Sequence, residues 1–248
     1  MIGPIYSGHY HMRDWQPILG LPLWFWLFVA PSLFALFCLY NRDIARRIIT
    51  PVWRILDPIY KISGVIAASF LAIILCLIVG QMISRWTGTM FPGGTEFAGY
   101  AMACTSFFAL AYTLNHGAHI RVSIFLNMND FLRYWLDAFA MLLSAITATY
   151  FARYAVKTNF FSEMLNDRTQ GLDQVPEWVL TLVAMFGTWP WNWSELWAKS
   201  SSEMVYTPVW LPQIAMSIGT ILLAIAVWDN LYRLLINKVT SIKSETVE

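Results

Sequence analysis

The chain has 248 residues, of which 58% are hydrophobic, 16% aromatic and only 12% charged, and its mean hydropathy is +0.53. Soluble domains carry about 25% charged residues, so a water-soluble globule is excluded: no core of this size hides that much apolar surface. Sixteen Lys and Arg against fifteen Asp and Glu leave a net charge of +1, and no basic run offers a nucleic-acid surface.

A helix crosses a bilayer with about 20 mostly apolar residues. Taken in chain order, residues 1–18 are an outer tail containing His9 and His11, two histidines without further ligands nearby. Leu19 to Tyr40 is the first charge-free run. It has no cationic stretch before it and no A-x-A site, and Pro22 and Pro31 interrupt it, so it reads as an uncleaved helix and not as a signal peptide. Residues 41–61 set Ile44, Ile48, Val52, Ile55 and Ile59 at helical spacing against Arg42, Arg46, Arg47, Arg54 and Lys61. Two readings stand here: an amphipathic helix on the inner membrane face, or a plain connector broken at Pro51 and Pro58.

Further spans are expected at 62–84, 96–114 and 131–154. The last of these contains Arg133 and Asp137, which at a spacing of four share a helix face and can pair near the headgroups. Residues 155–207 form an outer loop rich in tryptophan (Trp178, Trp189, Trp191, Trp193 and Trp197). Its apolar stretch Val179 to Phe186 is too short to cross, and Trp favours the membrane interface, so a surface-lying or re-entrant element is expected. A final helix covers 208–236, with its apolar run from Pro208 to Trp228.

The fold class is therefore an all-α integral membrane protein of about five transmembrane helices. Ten of the sixteen cationic residues fall on one side under this plan (Arg42, Arg46, Arg47, Arg54, Lys61, Arg121, Arg133, Arg233, Lys238, Lys243). By the positive-inside rule the N-terminus is outside and the C-terminus cytoplasmic. The cysteines, Cys38, Cys76 and Cys104, lie inside apolar runs and read as small core residues.

The most informative stretch is Gly93 to Val122. At its front Thr95 is placed to cap a helix, and Glu96 falls in the first turn, where the helix dipole favours a carboxylate. At its back Gly117 suits a left-handed C-cap, with His116, His119 and Arg121 at the negative end of the dipole. Between them Glu96, Gly99, Ala103, Ser106, Leu110 and Thr113 recur at steps of three and four, a stripe of mostly small or polar side chains of the kind on which another helix packs. Capping alone and partner contact both remain open for the charged residues. Haem ligation fits poorly, because His9 and His11 fall outside and His116 and His119 inside. No Walker loop, HExxH or GxSxG is present, and no enzymatic activity, metal site or cofactor is expected.

Arg85, then Glu96 with Gly99-Tyr100, then Ala109-Leu110-Ala111-Tyr112-Thr113-Leu114 leading into Gly117-Ala118-His119-Ile120-Arg121-Val122 form a block that resembles the small membrane subunit of tripartite ATP-independent periplasmic (TRAP) transporters. Thr169-Gln170-Gly171-Leu172 and Pro208-Val209-Trp210-Leu211-Pro212-Gln213 are similar to the family's approach to its last span. The resemblance runs over residues 55–236 and is strongest at 85–122. That family usually has four spans, so Leu19 to Tyr40 is an added helix and the Trp-rich loop an enlarged one.

The resemblance implies a small scaffold subunit of a sodium-driven symport system for organic acids in the bacterial inner membrane. A large multi-span subunit carries the substrate, and a periplasmic binding protein captures it. It also marks Arg85, Glu96, Gly99, Tyr100, Ala103, Ser106, Gly117, His119 and Arg121 as candidates for contact with the large subunit or with membrane lipid. The alternative is a membrane anchor of a respiratory enzyme. A self-sufficient carrier is a third reading, disfavoured by the missing internal repeat.

Overall fold

The computed structural model describes residues 17–116, 130–186, 188–198 and 200–237. Gly117, His119 and Arg121 lie outside them, as do His9, His11 and the Arg133 side chain expected to pair with Asp137.

A two-residue hairpin opens the described chain, with β1 (Pro17–Ile18) paired to β2 (Leu21–Pro22). Leu19 and Gly20 turn it, both with positive φ, at 53° and 81°. Next come a π-wound turn (Phe25–Val29) and α1 (Ala30–Tyr40), then α2 (Arg42–Thr87), α3 (Gly94–Asn115) and α4 (Asp130–Met164). The segment after α4 holds β3 (Gln174–Pro176), α5 (Glu177–Phe186), a 3-10 turn (Pro190–Asn192), α6 (Trp193–Ala198) and β4 (Met204–Tyr206). The last described element is α7 (Trp210–Asn237).

Among the described residues four helices are long and apolar enough to cross a membrane: α2, α3, α4 from Tyr134, and α7. The first apolar run differs from expectation. It gives a helix only over Phe25–Tyr40, about 24 Å at 1.5 Å per residue against a hydrocarbon core of about 30 Å. The length is lost at the front, where Gly20 and Pro22 favour the hairpin over a helical turn. Nor is α1 a loose addition: Ala35 and Cys38 are buried in the same cluster as Leu231, Leu234 and Leu235 of α7. Phe34 meets the Tyr232 ring edge-on at 5.1 Å, and the Tyr232 hydroxyl donates to the Pro31 carbonyl at 3.3 Å.

α2 is a second departure. Its 46 residues run unbroken through Pro51 and Pro58, so the two prolines do not end the helix. Each lacks an N–H and deprives the carbonyl four residues back of a partner. Spaced by seven, both prolines lie on one exposed side, where those carbonyls are open to the surroundings. The rest of the segment sorts by face: Ala45, Ile49 and Tyr60 are buried, whereas Ile44, Ile48, Val52 and Ile55 are exposed.

The four long helices pack through small residues, as lipid-embedded bundles do. A Cβ on Gly219 of α7 would sit 2.7 Å from the Phe107 carbonyl oxygen of α3, and one on Gly64 of α2 would sit 2.6 Å from the Tyr112 ring. The α4–α7 seam is built from Ala138, Ala145, Ala148, Ala152 and Ala224, and across it Trp228 donates its indole N–H to the Thr149 hydroxyl at 2.9 Å. Of the cysteines only Cys38 is buried; Cys76 is exposed on α2 and Cys104 half-buried, because their helix faces look away from the bundle.

Candidate functional site

α3 is entered through Gly93, whose φ of 75° is left-handed and which carries no side-chain cap. Thr95 therefore does not cap the helix; its hydroxyl accepts from Gln81 Nε2 of α2 at 3.3 Å. The reason is steric. A Cβ on Gly93 would lie 2.9 Å from the Leu172 carbonyl oxygen and 3.0 Å from the Asp173 Cα, so the 169–173 segment presses directly on the helix start, and only glycine permits both the fit and the positive φ.

Glu96 does lie in the first turn of α3. Its carboxylate is also a tether, accepting the Leu172 backbone N–H at 3.2 Å. One turn on, the Tyr100 hydroxyl donates to Asp173 Oδ2 at 2.5 Å, and the Thr169 hydroxyl donates to Oδ1 at 2.8 Å. Asp173 itself is wholly buried. The Thr207 hydroxyl donates to the Asp173 carbonyl, while Thr169 N–H donates to the Thr207 carbonyl and Val209 N–H to the Asp167 carbonyl, each at 3.0 Å. The three stretches singled out in the sequence, around Glu96-Tyr100, Thr169-Leu172 and Pro208-Gln213, thus meet at one point at one end of the bundle.

Asp173 is the hub of this latch. Burial works to raise its pKa, but the hydrogen bonds from Tyr100 and Thr169 favour the charged form and outweigh it, holding the carboxyl below the ordinary aspartate range. The sequence reading stopped one residue short of it. The available signal was an acid directly after the Thr169-Leu172 motif, in a segment otherwise lacking reason for a buried charge.

The other candidates are placed differently. Arg85 is exposed in the last turn of α2, where the helix dipole favours a cation. Gly99 and Ser106 are exposed and Ala103 half-buried. A Cβ on Gly99 would meet nothing within 4 Å. The opposite side of α3 is filled, with Ala101 and Ala111 buried and Phe107 and Tyr112 against α7 and α2. The stripe from Glu96 to Thr113 is thus, in its middle, a face that the described residues leave open.

At the far end of the bundle lies a polar cluster that sequence reasoning missed. Arg233 bridges Asp57 of α2 at 2.6 Å and Asp229 of its own helix at 3.0 Å, and its guanidinium lies 4.9 Å from the centre of the Trp53 ring. The spacing of four between Asp229 and Arg233 was legible, whereas Asp57 is distant in sequence. Among the described residues no group of His, Cys, Asp and Glu could hold a metal ion.

Residues 74–190, from the second half of α2 to the start of the 3-10 turn, match the family described as tripartite ATP-independent periplasmic transporters, DctQ component. These residues carry that family's domain, the small permease component of TRAP transporters. The matched TRAP segment is narrower than the 55–236 read from motifs: it contains the Glu96 block and the Thr169-Leu172 motif but ends before Pro208. α1 and the amphipathic start of α2 fall outside it. Comparison with curated proteins and with solved structures found no match.

Proposed function

We propose that this chain is the bracing small subunit of a TRAP-type secondary transporter in the bacterial inner membrane. A large multi-span subunit moves an organic acid with a sodium gradient, a periplasmic protein delivers it, and this chain carries no substrate. The family match supports the component, and the resemblance supports the sodium coupling and the organic-acid class. The observation that carries the bracing role is the open face of α3, where Gly99, Ala103 and Ser106 offer the close backbone approach on which a partner helix packs in lipid. The latch of Glu96, Tyr100 and Asp173 holds the outer loop beside that face, and the exposed Trp189 and Trp191 set the loop at the membrane interface. Ten residues of α5, about 15 Å long, suit a surface-lying element.

Gly99→Leu and Ser106→Leu add bulk where the chain itself has room. Both variants keep the helical content of the isolated subunit, lose at least tenfold in large subunit retained on a tagged small subunit, and lose sodium-dependent uptake in cells expressing all three components. Undiminished retention and uptake in both would overturn the reading. Reporter fusions place residues 50 and 125 and the C-terminus inside and residue 190 outside. Residue 8 reads outside if the 16-residue apolar helix and its hairpin complete a fifth crossing, and inside if they do not.

A further inference from the structure

The first turn of α2 carries a cation without an acceptor. Arg42 pairs with no carboxylate among the described residues, and its Nε is fully enclosed with no hydrogen-bond partner. The hydroxyl of Tyr134, near the start of α4, is enclosed and unpartnered in the same way. Helical spacing brings the two together. Ala45 follows Arg42 by three residues and Ala138 follows Tyr134 by four, so each alanine shares a helix face with the polar residue before it. Both alanines are buried in one cluster with Cys38 of α1, and Arg42 is close enough for its charge to act on the Tyr134 hydroxyl. α2 also opens without a side-chain cap, which leaves the N–H groups of its first turn and the positive end of its dipole at the same end.

An enclosed guanidinium N–H and phenol O–H without an acceptor are costly, and such groups in native proteins find a partner in their working surroundings. Here those surroundings are the edge of a membrane. The apolar span of α4 begins at Tyr134 itself. Tyr40, which closes α1, and Trp135, beside Tyr134, are both exposed, as aromatic residues at headgroup depth are. The acceptor that every phospholipid offers at that depth is its phosphate, whose oxygens fit the fork of an arginine. The place is distinct from the apolar cavity of about 700 Å³ enclosed by α1, α2, α4 and α7, which neither Arg42 nor Tyr134 lines.

We propose that Arg42 and Tyr134 form a binding site for the phosphate of a phospholipid, the guanidinium Nε–H and the phenol O–H each donating to a phosphate oxygen. The acceptor is the phosphate and not the rest of the headgroup, so a zwitterionic phospholipid satisfies the site. The tails stay in the bilayer, since lipid is as apolar as the helix faces and moving them gains nothing. This inference needs the chain in a membrane and is independent of the transport reading.

The test uses the purified full chain in detergent, with retained lipid counted by native mass spectrometry. It is offered equal amounts of phosphatidylethanolamine, which has a phosphate and no net charge, and diacylglycerol, which has the tails alone. Wild type retains one phosphatidylethanolamine, with a preference of about tenfold over diacylglycerol, the worth of a hydrogen bond to a charged group. Arg42→Gln brings the two lipids close to parity, and Tyr134→Phe falls between it and wild type, with circular dichroism verifying that each variant is folded. Arg54→Gln, which removes an exposed cation of the same helix, keeps the wild-type preference. Added phosphatidylethanolamine raises the midpoint of thermal unfolding in wild type and not in Arg42→Gln. Parity in wild type, a wild-type preference in folded Arg42→Gln, or an equal loss in Arg54→Gln overturns the proposal. So does displacement of the retained lipid by millimolar inorganic phosphate, which would make the free ion the occupant.

Discussion

Asp173→Ala tests the latch at the start of α3 most directly. The substitution removes two hydrogen bonds to a buried charged acceptor, from Tyr100 and from Thr169. Bonds to charged groups contribute about 1.5–3 kcal/mol each. Both donors are half-buried and regain some hydration, so we expect the loop to lose about 2–4 kcal/mol of docking free energy, a fall of roughly 30- to 1,000-fold in its closed-to-open ratio. Hydrogen exchange on the full chain in nanodiscs reads this at the amides of Thr169 and Val209, which bond across the latch to the Thr207 and Asp167 carbonyls. Those amides lose protection, while amides in the middle of α4 and α7 keep theirs. Tyr100→Phe, which removes one of the two bonds, falls between Asp173→Ala and wild type. Unchanged protection at both amides in Asp173→Ala would refute the argument that this carboxylate holds the loop.

The pH dependence follows from the same group. Its folded-state pKa lies below the ordinary aspartate value, so the stabilisation is complete above about pH 3.9 and is lost as pH falls through the lower folded value; exchange at Thr169 and Val209 is therefore no faster at pH 5 than expected from intrinsic chemistry, and accelerates only in stronger acid. Gly219→Val forces a side chain into the Phe107 backbone and should cost about 1–3 kcal/mol or more, read as a lowered midpoint of thermal unfolding in detergent, with Gly80→Val, whose Cβ would meet nothing within 4 Å, as a control that stays near wild type. Arg233→Met leaves the buried Asp229 without its cation. Because Asp57 is partly solvated, the cost comes mainly from Asp229, about 2–4 kcal/mol, and the added Asp229→Asn substitution should recover most of it.

Composition and the length of apolar runs determine the helical membrane class by themselves, since only helices satisfy every backbone group along such segments in lipid. The ends of those runs were less legible. α4 continues ten residues past Tyr154 to Met164, because its continuation packs on α7 through Asn159 and Ser217. The small-residue stripe of α3 was readable from its spacing, but not which side of it stays open. That was decided by where Gly64 and Gly219 bring the neighbouring helices. Glu96 was readable as a first-turn acid, and the dipole explains it as far as sequence goes. Its bond to Leu172, and the gathering of Tyr100, Thr169 and Thr207 on Asp173, join residues up to 76 positions apart. No local pattern encodes such a meeting. It exists because α3 and α7 pack side by side and bring their N-terminal ends, and the segment between α4 and β3, to the same place. The start of α1 gives the converse case: a charge-free run long enough to span forms a shorter helix, since its Leu19-Gly20 turn and Pro22 favour a hairpin, and the tertiary structure uses what remains to wall a cavity.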